Sequence, residues 1–326
     1  MPIKTSIVSA TQDGAIALAV EKLLLGEVIG LPTETVYGLA ADAQSETAVE
    51  KIYKTKGRPS YNPLICHVSG PEMAARYVEV SVTAKKLMDI FWPGPLTIVC
   101  ARKPKSKIAH AVSANLNTLA VRCPANTTTR AIIAALDRPI AAPSANLSGK
   151  LSPTTAESVY KSLSGKIPLV IDDGQTSVGI ESTIVAVGGD KITLLRPGSV
   201  SAEEICDAVT LPVHDRDTSI ITAPGQISSH YAPNARILLN CDQPNGHVMI
   251  GFAGTEGDKD LNLSPEGDLT EAAHNLFEFL RLADARTNDV IAIAPIPNTG
   301  VGIAINDRLK RAAAPRTNDN QEITND

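Results

Sequence analysis

The sequence predicts an α/β protein: a twisted, largely mixed sheet with helices on its faces, plus a small second α/β domain. Three observations carry this. Short apolar runs between residues 5 and 195 outnumber the helical segments that join them. The regular strand–helix–strand cadence of a purely parallel sheet is therefore absent, and some strands must pair antiparallel. Next, the stretch LPVHDRDTSIITAPGQISSHYAPN from Leu211 to Asn234 has no hydrophobic period, which marks a linker rather than an element. Finally, a fresh alternation of apolar runs and helical periods resumes at Ile237. The length of 326 residues is ample for two cores.

Taken in order, Thr5–Val8 reads as a strand and Gln12–Leu25 as a helix, with Ile16, Val20, Leu23 and Leu24 on one face and Gly26 ending it. Val28–Pro32 is a strand running into the turn Thr33-Glu34-Thr35. Ala48–Lys54 is a helix and Leu64–Val68 a buried strand. Val82–Phe91 is a helix stopped by Trp92–Pro95, and strands follow at Leu96–Ala101 and Leu119–Arg122. A helix near Thr127–Leu136 leads to a strand at 140–142 and a helix at Thr154–Leu163. Strands at Leu169–Ile171, Thr183–Val187 and Ile192–Leu195 precede a helix at Ser201–Val209, whose first turn holds Glu203 and Glu204 where the helix dipole favours them. Beyond the linker come strands Ile237–Leu239 and Val248–Phe252, helix Leu269–Ala285, strand Val290–Ala294 and helix Gly300–Ala313. The long helix carries Ala272, Leu276, Phe277, Leu280 and Ala283 on one face, and Asp268 and Glu271 have capping-box spacing. The tail from Ala314 is polar and reads as disordered.

Composition narrows the function. Hydrophobic residues are 43% and charged residues 20%, a globular balance. A net charge of -5 and 3% aromatics disfavour a protein whose main task is coating nucleic acid. Five separated cysteines without a CxxC pair read as free thiols in a reducing compartment. The opening MPIKTSIVSATQDGA lacks the apolar segment of a secretory leader, and no apolar run approaches ~20 residues. A cytoplasmic protein that does not span a membrane is the expectation. There is no GxxxxGK[ST], GxSxG, HExxH or correctly spaced GxGxxG, so a nucleotide would need an unconventional cradle.

Polar residues crowd several strand ends. Ile140-Ala141-Ala142 opens into Ser144, Asn146, Ser148, Gly149 and Ser152, a way to offer hydroxyls and N–H groups to an anion. Thr33, Glu34, Thr35 and Tyr37 leave another strand, where Thr33 or Thr35 as a helix N-cap is the plain alternative. Lys51, Lys54, Lys56 and Arg58 gather positive charge, which a solvated helix face would equally explain. In extended backbone Lys56 and Arg58 point the same way and form a clamp for a polyphosphate or carboxylate. His67, inside ICHV, fits a core histidine as well as a ligand contact. Arg122 and Arg196 each end a buried strand, which suits anion binding, and Glu181 either orients an arginine or is exposed.

The ordered segments LPTETVYGLA, KGRPSYNPL, FWPGPLT, LAVRCP, APSANLSG, SPT, GIESTIV and LRPG resemble the threonylcarbamoyl-AMP synthase family. PGQISSHYAP and INDRLKRAA resemble its long, two-domain form. The resemblance implies a YrdC-like catalytic domain over 1–210, a linker or lid over 211–235, a small Rossmann-like C-terminal domain over 236–313 and a polar tail over 314–326. It implies that L-threonine, bicarbonate and ATP give threonylcarbamoyl-AMP and pyrophosphate, for a tRNA modification completed by separate threonylcarbamoyl transferase proteins. Magnesium would arrive with ATP, with no metal held by protein and no tightly bound cofactor. Lys56 and Arg58 would be catalytic. Arg58, Asn62, Thr118, Ser144, Ser152, Arg196 and Tyr231 would contact ATP. Thr35, His67, Arg122, Ala142 (by its backbone) and Ser182 would hold L-threonine. Tyr61 and Cys66 depart from the residues usual beside these motifs. A double-stranded RNA-binding module with weak, shape-based contact is the alternative from another class; a carbamoyl-phosphate-using maturation factor would add zinc-finger cysteine pairs, which this chain lacks.

Overall fold

The structure, a computed structural model, describes residues 3–189, 191–216, 230–255, 257–258, 260–287 and 289–315. Most of the expected linker and nearly all of the polar tail lie outside the described residues. The chain divides into two compact units, Met1–Ser148 with Ser152–Gln226, and Gly149–Leu151 with Ile227–Asp326.

In chain order the first unit contains β1 (Ser6–Ser9), α1 (Ala15–Leu24), β2 (Ile29–Leu31), β3 (Gly38–Asp42), α2 (Glu46–Lys56) and β4 (Ile65–His67). It continues with α3 (Pro71–Ala74), α4 (Val82–Phe91), β5 (Leu96–Ala101), β6 (Thr118–Arg122), α5 (Thr127–Leu136) and β7 (Ile140–Ala141). Its last elements are α6 (Ala156–Leu163), β8 (Leu169–Asp172), β9 (Thr183–Gly188), β10 (Lys191–Arg196), α7 (Ala202–Val209) and β11 (Val213–Asp215). The strands form one mixed sheet in the order β1-β8-β2-β3-β7-β4-β6-β5-β9-β10-β11. β4 and β6 are parallel, whereas β7 runs antiparallel to both β3 and β4. Four strands from distant parts of the sequence therefore lie side by side at the centre.

Local chemistry explains the element ends. Ser81, Asn126 and Thr155 cap α4, α5 and α6 by accepting backbone N–H bonds. Ser201 and Glu204 make a complete capping box on α7. Two strands escape the sequence reading. β3, Gly-Leu-Ala-Ala-Asp, is wholly buried but lacks the β-branched residues that signal a strand. β11 lies in the segment without a period and adds to β10 in parallel. On α1 the expected face is also rotated. Ala15, Ala19 and Leu23 are buried while Ile16 and Leu24 are exposed. Small side chains let a helix approach its neighbours closely, which here outweighs the pull of the larger apolar residues.

The second unit holds a parallel sheet of β12 (Arg236–Leu239), β13 (Val248–Ile250) and β14 (Val290–Ile293), with β14 central. It also contains α8 (Leu269–Arg286) and α9 (Gly302–Ala312). The expected face of α8 is buried, with Ala273 beside it. The capping box at Asp268 is half formed. Asp268 accepts from Thr270 and Glu271 N–H, but the Glu271 carboxylate turns to the Ser264 hydroxyl.

Candidate functional site

The parallel register of β4 and β6 sets His67 beside Arg122, and the antiparallel register of β7 sets Ile140 on the other side of His67. Ala142, just past β7, donates its N–H to the Ile65 carbonyl at 3.0 Å. His67 is buried, and its Nδ1 has no hydrogen-bond partner. Burial first, and then the Arg122 charge, push its pKa down to about 3. The ring is thus neutral near pH 7, one nitrogen a donor and the other an acceptor.

Arg122 is buried rather than a rim residue. Its Nε donates to the Gly94 carbonyl at 3.2 Å and its Nη2 to Glu34 Oε1 at 2.7 Å. Glu34 comes from the turn that follows β2. In that turn Thr33 Oγ1 accepts the N–H groups of Thr35 and Val36 and donates to the Val36 carbonyl. No helix follows, so the N-cap reading of these threonines does not hold. Because Thr33 has spent its proton, the 2.8 Å contact between the two hydroxyls runs from Thr35 to Thr33. The lone pairs of Thr35 then remain as acceptors.

The cationic pair differs from the extended geometry expected of it. Lys56 is the last residue of α2, and Gly57 turns the chain in the left-handed region at φ 62°. Lys56 Nζ reaches the Ser144 carbonyl at 2.5 Å and also the Asn146 carbonyl. Burial, then the nearby Arg58 charge, hold its pKa well below the lysine range, against the pull of Glu181. Arg58 is buried and donates to the carbonyls of Asn62 (3.1 Å) and Pro63 (2.8 Å). The Asn62 Oδ1 is buried without a partner. Lys51 and Lys54 are exposed, and Lys51 lies 3.6 Å from Glu27, so the solvated-face reading holds for those two.

Glu181 is buried and accepts from the Ser152 hydroxyl at 2.5 Å, so the exposed reading does not hold. Its neighbour Ser182 shares a 2.8 Å hydroxyl contact with Thr97 on β5. Arg196, ending β10, donates to the Ser182 carbonyl from Nε (3.1 Å) and Nη2 (2.9 Å), and from Nη2 to the Ser182 hydroxyl (3.1 Å). Gly198 permits this approach, since a Cβ there would lie 2.2 Å from the Thr183 nitrogen. Arg58, Lys56, Ser144, Glu181, Ser152, Ser182 and Arg196 are thus linked through bonds, sequence neighbours and mutual fields. Thr118 is exposed and lies at the opposite end of β6 from Arg122, a span of ~13 Å along a strand. Tyr231 belongs to the second unit, where its ring packs 5.5 Å from that of Phe277 with the Arg308 guanidinium 5.5 Å from its centre. Thr97 and the carboxylate of Glu34 are the participants that sequence reasoning left unassigned; only the position of Glu34 inside the TET turn hinted at it.

These cations, hydroxyls and orphaned polar atoms suit a polyanion and a small zwitterion. They offer no nucleophile–base pair. Among the described residues no group of three or more His, Cys, Asp or Glu could hold a metal ion, and no helix is long and apolar enough to cross a membrane.

Residues 21–198 match a family model described as telomere recombination, and residues 200–314 match one described as threonylcarbamoyl-AMP synthase, C-terminal domain. The chain is 39% identical to the threonylcarbamoyl-AMP synthase of Bacillus subtilis, covering 94% of this chain and 95% of that protein. It is 36% identical to the protein of the same name from Pyrococcus abyssi, covering 97% and 99%. The crystal structure of P. abyssi Sua5 complexed with L-threonine superposes with a TM-score of 0.86 at 34% identity, over 95% of this chain and 97% of that one.

Proposed function

The chain belongs to the threonylcarbamoyl-AMP synthase family in its two-domain form, and we infer that the site described above carries the reaction. The chain is a nucleotidyltransferase-type enzyme that makes threonylcarbamoyl-AMP. The L-threonine amine and bicarbonate condense to a carbamate with loss of water. A carbamate oxygen then attacks the α-phosphorus of ATP, and pyrophosphate leaves with the magnesium that ATP brought as substrate. A double-stranded RNA-binding module is not favoured.

One observation supports the site assignment most: Lys56, Arg58, Ser144, Ser152, Glu181, Ser182 and Arg196, from five separate segments, are tied together by hydrogen bonds, chain neighbours and charge. These residues and the group around His67 and Arg122 differ in what they suit. Arg122, His67, Thr35, Ser182 and the Ala142 backbone suit L-threonine, whose carboxylate needs a cation and whose ammonium and hydroxyl need acceptors. Arg58, Asn62, Ser144, Ser152 and Arg196 suit ATP, with Thr118 and Tyr231 carried over from the family's motifs. Lys56 and Arg58 suit charge that builds as the α-phosphorus is attacked. The attack on the α-phosphorus requires no general base, because the carbamate is already anionic. The residues' part is to hold reactants in line and neutralise charge. Cytoplasmic residence, transfer of the product to tRNA by separate threonylcarbamoyl transferase proteins, and weak RNA contact complete the proposal.

Pyrophosphate release from Mg-ATP tests this directly. Release should depend on both L-threonine and bicarbonate. Release that ignores either one would overturn the reading.

A further inference from the structure

We propose that Glu34 is a positioning residue for the amino-acid substrate, acting through Arg122. This rests on the reading that Arg122 takes the L-threonine carboxylate.

Glu34 spends each carboxylate oxygen separately. Oε1 accepts from Arg122 Nη2 at 2.7 Å, and Oε2 accepts from the Ala125 N–H at 2.9 Å. Its own carbonyl accepts from the Val178 N–H at 2.7 Å. The carboxylate is thus anchored to the segment that leaves β6, and its backbone to a third segment.

The guanidinium is held on two sides. Nε is taken by the Gly94 carbonyl and Nη2 by Glu34. Nη1 has no hydrogen-bond partner among the described residues, so its donors are left for a ligand. A guanidinium is a rigid planar fork. Fixing Nε and Nη2 therefore also fixes the direction in which Nη1 points.

Burial makes this consequential. The two side chains are 4% and 9% exposed. Little water is present to replace a lost partner, so a buried arginine stripped of its carboxylate seeks another acceptor and turns away. Neutral His67 cannot supply the counter-charge. Both carboxylate oxygens of Glu34 are engaged within the protein, at Arg122 and Ala125, so it acts on the substrate only through Arg122. Its effect should appear in L-threonine affinity alone.

The experiment compares Glu34→Gln, Glu34→Asp, Arg122→Gln and the double variant Glu34→Gln/Arg122→Gln in the full chain, by pyrophosphate release. Glu34→Gln keeps the shape but can satisfy only one of the two donors. It should raise the KM for L-threonine by at least about tenfold, with the KM for ATP changed by less than about twofold. Arg122→Gln should do at least as much. The double variant should be within about twofold of Arg122→Gln, because the two residues act as one unit. Glu34→Asp keeps the charge and should fall between the wild type and Glu34→Gln. If Glu34→Gln does not fold, Glu34→Asp decides alone: a selective rise for L-threonine supports the proposal, and no rise or an equal rise for both substrates overturns it. An unchanged L-threonine KM in Glu34→Gln, alongside a raised one in Arg122→Gln, overturns the positioning role and leaves Arg122 as the carboxylate site. An unchanged L-threonine KM in Arg122→Gln overturns both.

Discussion

Acid should destabilise the first unit through His67 in a way one substitution removes. In the folded chain the pKa is pushed down to about 3, against 6.5 for the unperturbed group. Between those values the unfolded chain holds a proton that the folded chain refuses. Stability therefore falls as pH drops through that window. A group with those two values loses about 2 kcal/mol between about pH 7 and about pH 5. The site is buried, so solvent screening takes little from this figure. Carboxylates elsewhere titrate in the same range, so the comparison must be between the wild type and His67→Asn. Trp92, the chain's single tryptophan, is buried in the first unit and reports its unfolding by fluorescence. Urea unfolding at both pH values should give a drop that is smaller by about 2 kcal/mol in His67→Asn. Equal drops in the two chains would show that His67 protonates freely, and the argument for a neutral donor–acceptor ring beside Arg122 would fail.

Two further outcomes are expected. Lys56→Met should lower kcat by about 100-fold while raising the KM for ATP far less, since a charge that matters most as the α-phosphorus is attacked acts on the transition state. It should also leave the Ser144 and Asn146 carbonyls without their lysine donor, at about 1–3 kcal/mol each, offset in part because a cation no longer has to be buried beside Arg58. A raised KM with unchanged kcat would remove the catalytic role. Ending the chain at Arg216 keeps β11 on β10. If Tyr231 and the residues beyond it serve the reaction, pyrophosphate release in that shortened chain should fall at least about tenfold; full activity would discard that role.

Much of the fold was legible where caps and stops bracket a clear period. The end of α4 follows from the Trp92–Pro95 stop, and the structure adds Ser81 and Asn126 as the caps that start α4 and α5. β3 was not legible, because alanine, leucine and glycine suit a buried strand without announcing one. α1 was misoriented because an apolar period identifies a stripe, not which neighbours lie close enough to need alanine. Within the site, hydroxyls, cations and their place at strand ends were visible as residue types. The pairing of Lys56 with carbonyls was not, since the extended-chain argument put it in the wrong local geometry.

The sequence by itself determined the periods, the caps, the two-part organisation and the ordered motifs that mark the family. Tertiary structure alone decided the partners and the charge states. Glu34 meets Arg122, and Lys56 meets the Ser144 carbonyl, across 88 positions in each case. Such contacts exist only once the sheet order sets non-sequential strands side by side. The same packing removes water from His67 and Lys56, and desolvation, a property of the surroundings and not of the residue, then lowers both pKa values.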